Sequence, residues 1–115
     1  MIISLFGGTV VRPGAEDEEA RWGEKLEAIA RAMPGFISYK TYTAEDGEEV
    51  GILRMASREA LDGWVRQPDH RDAQRIAHTI YDRLWVQTAE TYREATYEHG
   101  RRNDHDLTEL FMDRR

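Results

Sequence analysis

One stretch, residues 33–74, fixes most of what this chain can become. It reads MPGFISYKTYTAEDGEEVGILRMASREALDGWVRQPDHRDAQ. Pro34-Gly35 stops a preceding helix, because proline cannot continue it and glycine accepts the left-handed turn that follows. Phe36 to Thr43 is aromatic and β-branched and predicts a strand. Glu45-Asp46-Gly47 is a hairpin turn, so Glu49 to Ala56 is the returning strand. Ser57 is placed to cap a helix over Arg58 to Arg66. Pro68 breaks that helix, and Asp69 is placed to cap its continuation to about Arg83.

The flanks complete the pattern. Ile2 to Val11 predicts a first strand, interrupted at Gly7-Gly8 by a bulge or a close backbone approach. Glu16, Asp17, Glu18 and Glu19 put negative charge at the start of a helix reaching about Met33. Trp22, Leu26, Ile29, Ala30 and Met33 share one apolar face of it. Gly23 sits within that helix at a cost of about 1 kcal/mol relative to alanine. Leu84 to Tyr97 predicts the last strand. The order is β-α-β-β-α-β with a broken second helix. That is an α+β, ferredoxin-like arrangement of a four-stranded antiparallel sheet with helices on one face.

The boundaries are a domain over residues 1–97 and a charged tail over 98–115. In the tail, Leu107, Leu110 and Phe111 mark one or two helical turns in a flexible segment that docks on a partner. Tyr39, Leu53, Met55 and Trp85 are too apolar together for an exposed sheet face. A second copy's sheet is the simplest cover, giving a homodimeric α+β barrel.

Composition narrows the classes. A chain of 115 residues fits one domain. It has no cysteine, which removes disulfides and thiolate metal sites. A net charge of −6 argues against a nucleic-acid partner, which needs a basic face. No apolar run approaches the roughly 20 residues that span a bilayer. The opening MIISLF lacks a basic leader region, so the expectation is a cytoplasmic protein with no membrane partner.

With these residues in place, the chain resembles the antibiotic biosynthesis monooxygenase family of dimeric α+β-barrel proteins. The matching features are Met33-Pro34-Gly35-Phe36, Trp64 on the broken helix, Gln67-Pro68-Asp69-His70-Arg71 at its corner, and Tyr81 before the final strand. The resemblance covers roughly residues 1–97. It implies a homodimer with a pocket between sheet and helices in each subunit. It also implies oxidation of a small aromatic or quinone-like molecule by O₂ with no cofactor, or, alternatively, binding and degradation of heme. Many family members have no known reaction, so a non-enzymatic ligand-binding or accessory dimer stays open beside both. The heme-degrading members carry a tryptophan on the broken helix, a ligating histidine ten positions later and an asparagine on the first strand. Here Trp64 fits, but Gln74 stands where the histidine would be, and Ser4 is the nearest polar residue on a strand without asparagine. A glutamine amide is a poor axial ligand beside imidazole.

His70 is the candidate catalytic base, since an imidazole takes a proton from a phenol near neutral pH. Its bland alternative is a corner or capping residue beside Pro68. If residues 70–81 run as helix, His70 lies about 70° from the apolar centre, Tyr81 about 90°, Gln74 about 110° and His78 about 150°. That sends His78 to water and leaves His70 and Tyr81 at the boundary. Trp64, Tyr39, Tyr81 and Trp85 are candidates to stack on a flat substrate, against the alternative of core packing. Gln74 is a candidate polar contact. Arg54 is a candidate to hold an anion if it points inward; its bland alternative is a surface ion pair. His99 and His105 lack partners at metal-ligand spacing.

Overall fold

The computed structural model describes residues 1–112. The chain runs β1 (Ile2–Val11), α1 (Glu16–Arg31), β2 (Phe36–Thr43), β3 (Glu49–Met55), α2 (Arg58–Arg66), α3 (Pro68–Ile80) and β4 (Tyr81–Glu90). A short hairpin, β5 (Thr96–Glu98) and β6 (Arg101–Asn103), and one helical turn, α4 (Thr108–Phe111), follow. The main sheet has the order β2-β3-β1-β4 with every pairing antiparallel. This is the ferredoxin-like α+β fold, its sheet open rather than closed on itself.

The core forms where α1 and α2 cover the sheet. Ile2, Ala30, Leu53, Met55 and Trp64 are buried together, with Leu26, Ile29 and Met33 packed against them. The apolar face of α1 thus does what its spacing predicts. Trp22, at its outer end, is half-buried with Lys25 Nζ 5.3 Å from its ring centre.

Local signals hold at most junctions. Ser57 Oγ accepts from the Ala60 N–H at 3.1 Å, capping α2. Gly47 takes φ +90° in the β2–β3 turn. Gly7-Gly8 is both a bulge and a close approach: the β1–β4 register shifts after Gly7, Gly8 has φ +60°, and the Trp85 ring lies against both.

Three boundaries differ from expectation. The α3 cap is Gln67, whose Oε1 accepts from the His70 N–H at 2.9 Å, while Asp69 turns to Lys25 at 3.0 Å. Pro68 at the first helical position makes the preceding residue the cap. Helix α3 stops at Ile80 rather than Arg83, because pairing of Tyr81 with Val11 draws the chain into the sheet. Strand β4 ends at Glu90 rather than Tyr97, because β1 has no further residues to pair; Thr91 N–H closes the edge on Met1 O at 2.9 Å.

The tail carries more regular structure than its charge suggests. His99 and Gly100, with φ +53° and +77°, form a two-residue hairpin turn between β5 and β6. Glu94 then holds α4 in place: its carboxylate accepts from Leu107 N–H at 2.7 Å and from the Thr91 hydroxyl at 2.7 Å. α4 lies against this chain's own β2 and β3, with the Phe111 ring 3.9 Å from the Arg54 guanidinium. Residues 113–115 of the tail lie outside the described residues.

Candidate functional site

The corner between α2 and α3 brings Trp64, His70 and Gln74 together. Pro68 forces the turn, and Gln67 and Asp69 brace it, Gln67 Nε2 donating to Asp69 at 3.2 Å. His70 stacks flat on Trp64, with ring centres 4.1 Å apart and planes 12° from parallel. Its Nδ1 lies 3.0 Å from the Trp64 carbonyl oxygen. That oxygen can only accept, so Nδ1 carries the proton and Nε2 keeps its lone pair. Burial lowers the His70 pKa below the ordinary imidazole value, and the bond to Trp64 offsets part of this. The ring is therefore neutral at pH 7, with a basic nitrogen. The Gln74 amide donates to Val65 O at 3.3 Å; its 3.4 Å approach to Nδ1 is contact only, since that nitrogen is already a donor.

A second group lies on the helix-facing side of the sheet. Tyr39 packs against the core cluster, and its hydroxyl passes over Gly51, where a Cβ would sit 2.6 Å from Oη. Tyr81 meets Phe6 edge-on at 6.0 Å. Burial raises the pKa of both phenols, Tyr39 further by the charge of Glu27, Tyr81 by its hydrogen bond to Glu19 and by Tyr39. Both remain protonated at neutral pH, the Tyr81 proton being held by Glu19.

Arg54 and Trp85 lie elsewhere. Strand alternation places Leu53 and Met55 toward the helices and Arg54 away from them. Arg54 therefore does not point inward to His70. Trp85, paired with Gly7, lies on that same far face, whereas Tyr39, Leu53 and Met55 face the helices. His78 is exposed, as its helical angle indicates.

Gly51, Glu19 and Ser38 escaped the sequence reading. For Gly51 the signal was present, since a glycine inside a strand marks a close approach. Glu19 was hidden in its acidic run. Ser38 is fully buried, which nothing in a strand of mixed polarity foretells.

Two cavities stand out. One of about 470 Å³ runs beneath the tail, lined by Met1, Thr91, Glu94, Asp104 and Asp106 among others. The other, about 400 Å³, is lined by Glu27, Tyr39, Lys40, Thr41 and Tyr42. Neither is lined by Trp64 or His70.

The fold and site define a ferredoxin-like α+β domain with a broken second helix and a histidine stacked on a tryptophan at the break. Residues 3–76 match the model for antibiotic biosynthesis monooxygenase, and the chain belongs to that family. Solved structures agree on the fold. Rv0793 from Mycobacterium tuberculosis is 24% identical, with 84% of this chain and 100% of that one covered at a TM-score of 0.69. An antibiotic biosynthesis monooxygenase structure is 17% identical, covering 79% and 98%, at 0.65. A variant of SnoaB, a cofactor-independent oxygenase from Streptomyces nogalater, is 13% identical, covering 81% and 95%, at 0.63. No curated protein matches the chain. Among the described residues, no helix is long and apolar enough to cross a membrane.

The position where heme-degrading members carry their ligating histidine does not fit that role here: it holds Gln74, exposed, with its amide turned to Val65 O, and a glutamine amide is a poor axial ligand.

Proposed function

We propose that this protein is a cytoplasmic, homodimeric oxygenase that oxidises an aromatic or quinone-like small molecule with O₂ and no metal or flavin. One observation carries the reading: the His70 ring is pinned on Trp64 with Nδ1 bonded and Nε2 left basic. Triplet O₂ reacts slowly with closed-shell molecules, so the substrate must first become an electron-rich anion. His70 takes the proton. Tyr39, kept protonated, donates to the resulting phenolate or enolate in place of Arg54. For an anthrone-type substrate, the ring CH₂ becomes C=O with one oxygen from O₂, and the second leaves as water with both hydrogens. The SnoaB likeness supports a cofactor-free route. The dimer is proposed from the family and from the sheet face away from the helices, where Ile3, Leu5, Ile52 and Trp85 lie together; of the four residues first expected to need a second copy's cover, only Trp85 is there.

The test is O₂ uptake with anthrone- and hydroquinone-type substrates, wild type against His70→Gln. Loss of a general base is expected to slow turnover about 10²- to 10⁴-fold. No uptake across the panel, or equal rates for both proteins, would refute the reading.

A non-enzymatic accessory dimer is the second reading. Its support is that neither cavity touches Trp64 or His70. An unshifted Soret band on hemin titration would remove heme from both.

A further inference from the structure

The tail and a second copy need the same ground. The Phe111 ring lies 3.9 Å from the Arg54 guanidinium, and Arg54 points away from the helices, so α4 sits on the sheet face opposite α1 to α3. It covers that face poorly. Ile3, Leu5, Ile52 and Trp85 stay only half-buried with α4 in place, and Leu110 of α4 is itself 60% exposed. Phe111 meets the flat of the guanidinium, while Arg54 Nε and Nη1 find no hydrogen-bond acceptor among the described residues.

Dimensions decide whether α4 and a second sheet can share the face. Stacked sheets pack about 10 Å apart. A helical turn with its side chains is about 10–12 Å across. Lying over Arg54 and against β2, α4 fills the whole depth that a second sheet would occupy. One must leave for the other to dock, and α4 is the element able to leave. It is a single turn over Thr108–Phe111, with no helical stability of its own. Its anchors are at its two ends: Glu94, whose carboxylate accepts from Leu107 N–H at 2.7 Å, and the stacking of Phe111 on Arg54.

We propose that α4 is an intramolecular competitor of dimerisation: it covers the docking face of the single chain and withdraws when a second copy's sheet takes its place. This rests on the homodimer reading. Both copies must open, so the competition enters twice. With α4 closed about nine-tenths of the time in each free chain, about one pair in a hundred is ready to dock. Loosening α4 therefore tightens the dimer. A tail that straps two copies together would do the opposite.

The test compares full-length wild type, Phe111→Ala and Glu94→Ala by sedimentation equilibrium at fixed ionic strength. The two changes free opposite ends of α4, so one still reports should the other fail to fold. Each should lower the dimer dissociation constant by about tenfold to a hundredfold. The Leu107 amide gives a second reading in wild type alone. Its hydrogen exchange should quicken as protein concentration rises and dimer accumulates, because withdrawal of α4 breaks its bond to Glu94. A wild-type dimer whose affinity ignores both substitutions overturns the proposal and leaves the homodimer itself standing. Weaker dimers in both variants overturn it too, by making α4 a strap across the interface. So does Leu107 exchange that slows or stays constant across the monomer–dimer transition. Monomers at every accessible concentration for all three proteins would remove the homodimer reading together with this one.

Discussion

Replacing Gly35 by alanine tests the junction that sets α2, and with it Trp64, over the sheet. Gly35 has φ +82°, and an added Cβ would lie 2.4 Å from Ala60 Cβ and 3.7 Å from Ala56 Cβ. Two costs follow. Holding alanine in the left-handed region costs about 1–2 kcal/mol. Forcing a methyl into a filled space costs about 1–3 kcal/mol more. Gly47 is the internal control: its φ is +90°, but nothing lies within 4 Å of its added Cβ. Gly47→Ala therefore carries the backbone cost alone, about 1–2 kcal/mol. Both substitutions reduce unfolded-chain entropy similarly, so that contribution cancels in the comparison. Gly35→Ala should lose about 2–5 kcal/mol in urea unfolding. At about 4 °C per kcal/mol for a chain of this size, its midpoint falls by roughly 8–20 °C. Ala60 is on α2, so Trp64 emission in the folded variant should shift as well. Equal losses for the two variants, within about 0.5 kcal/mol, would show that the contact with Ala60 is not where the structure places it.

Ser57→Ala removes the α2 cap and should cost about 1 kcal/mol, read by the same denaturation and by faster amide exchange at Ala60. Trp64→Ala empties the centre of the core and should cost about 3–5 kcal/mol; a loss under 1 kcal/mol would place Trp64 outside the packed cluster. His70 gives a pH signature whose sign is fixed. Its folded pKa lies below the unfolded value of about 6.5, so protonation favours the unfolded chain. Its contribution is complete above about pH 6.5 and is lost as pH falls through the folded value. His70→Gln should flatten this acid limb relative to wild type, and an unchanged limb would exclude His70 as its source.

The order of elements was legible because its signals are local. Pro34-Gly35, Asp46-Gly47 and Ser57 each act through their own backbone, and each holds. Tyr81 was misread as helical because Ile80, Tyr81 and Leu84 fit a helix as well as a strand, and only pairing with Val11 decides. Arg54 needed strand parity: Leu53 and Met55 on either side of it are buried against the helices, which turns it away. The hairpin at His99-Gly100 did carry a signal, a glycine after a residue able to take positive φ, but its charged strands obscured it. At the site, Trp64 and His70 were visible as residue types. Their stacking was not, because it depends on how sharply Pro68 turns α2 into α3.

On the sheet face away from the helices, the strand positions within residues 3–7, 38–42, 50–54 and 85–89 carry Arg54 and Lys40 but no Asp or Glu, which bears on assembly. Were two copies to meet there about a two-fold axis, each would present Arg54 and Lys40 to the other's like charges. Added electrolyte would then tighten association by screening the repulsion, the reverse of an interface held by ion pairs.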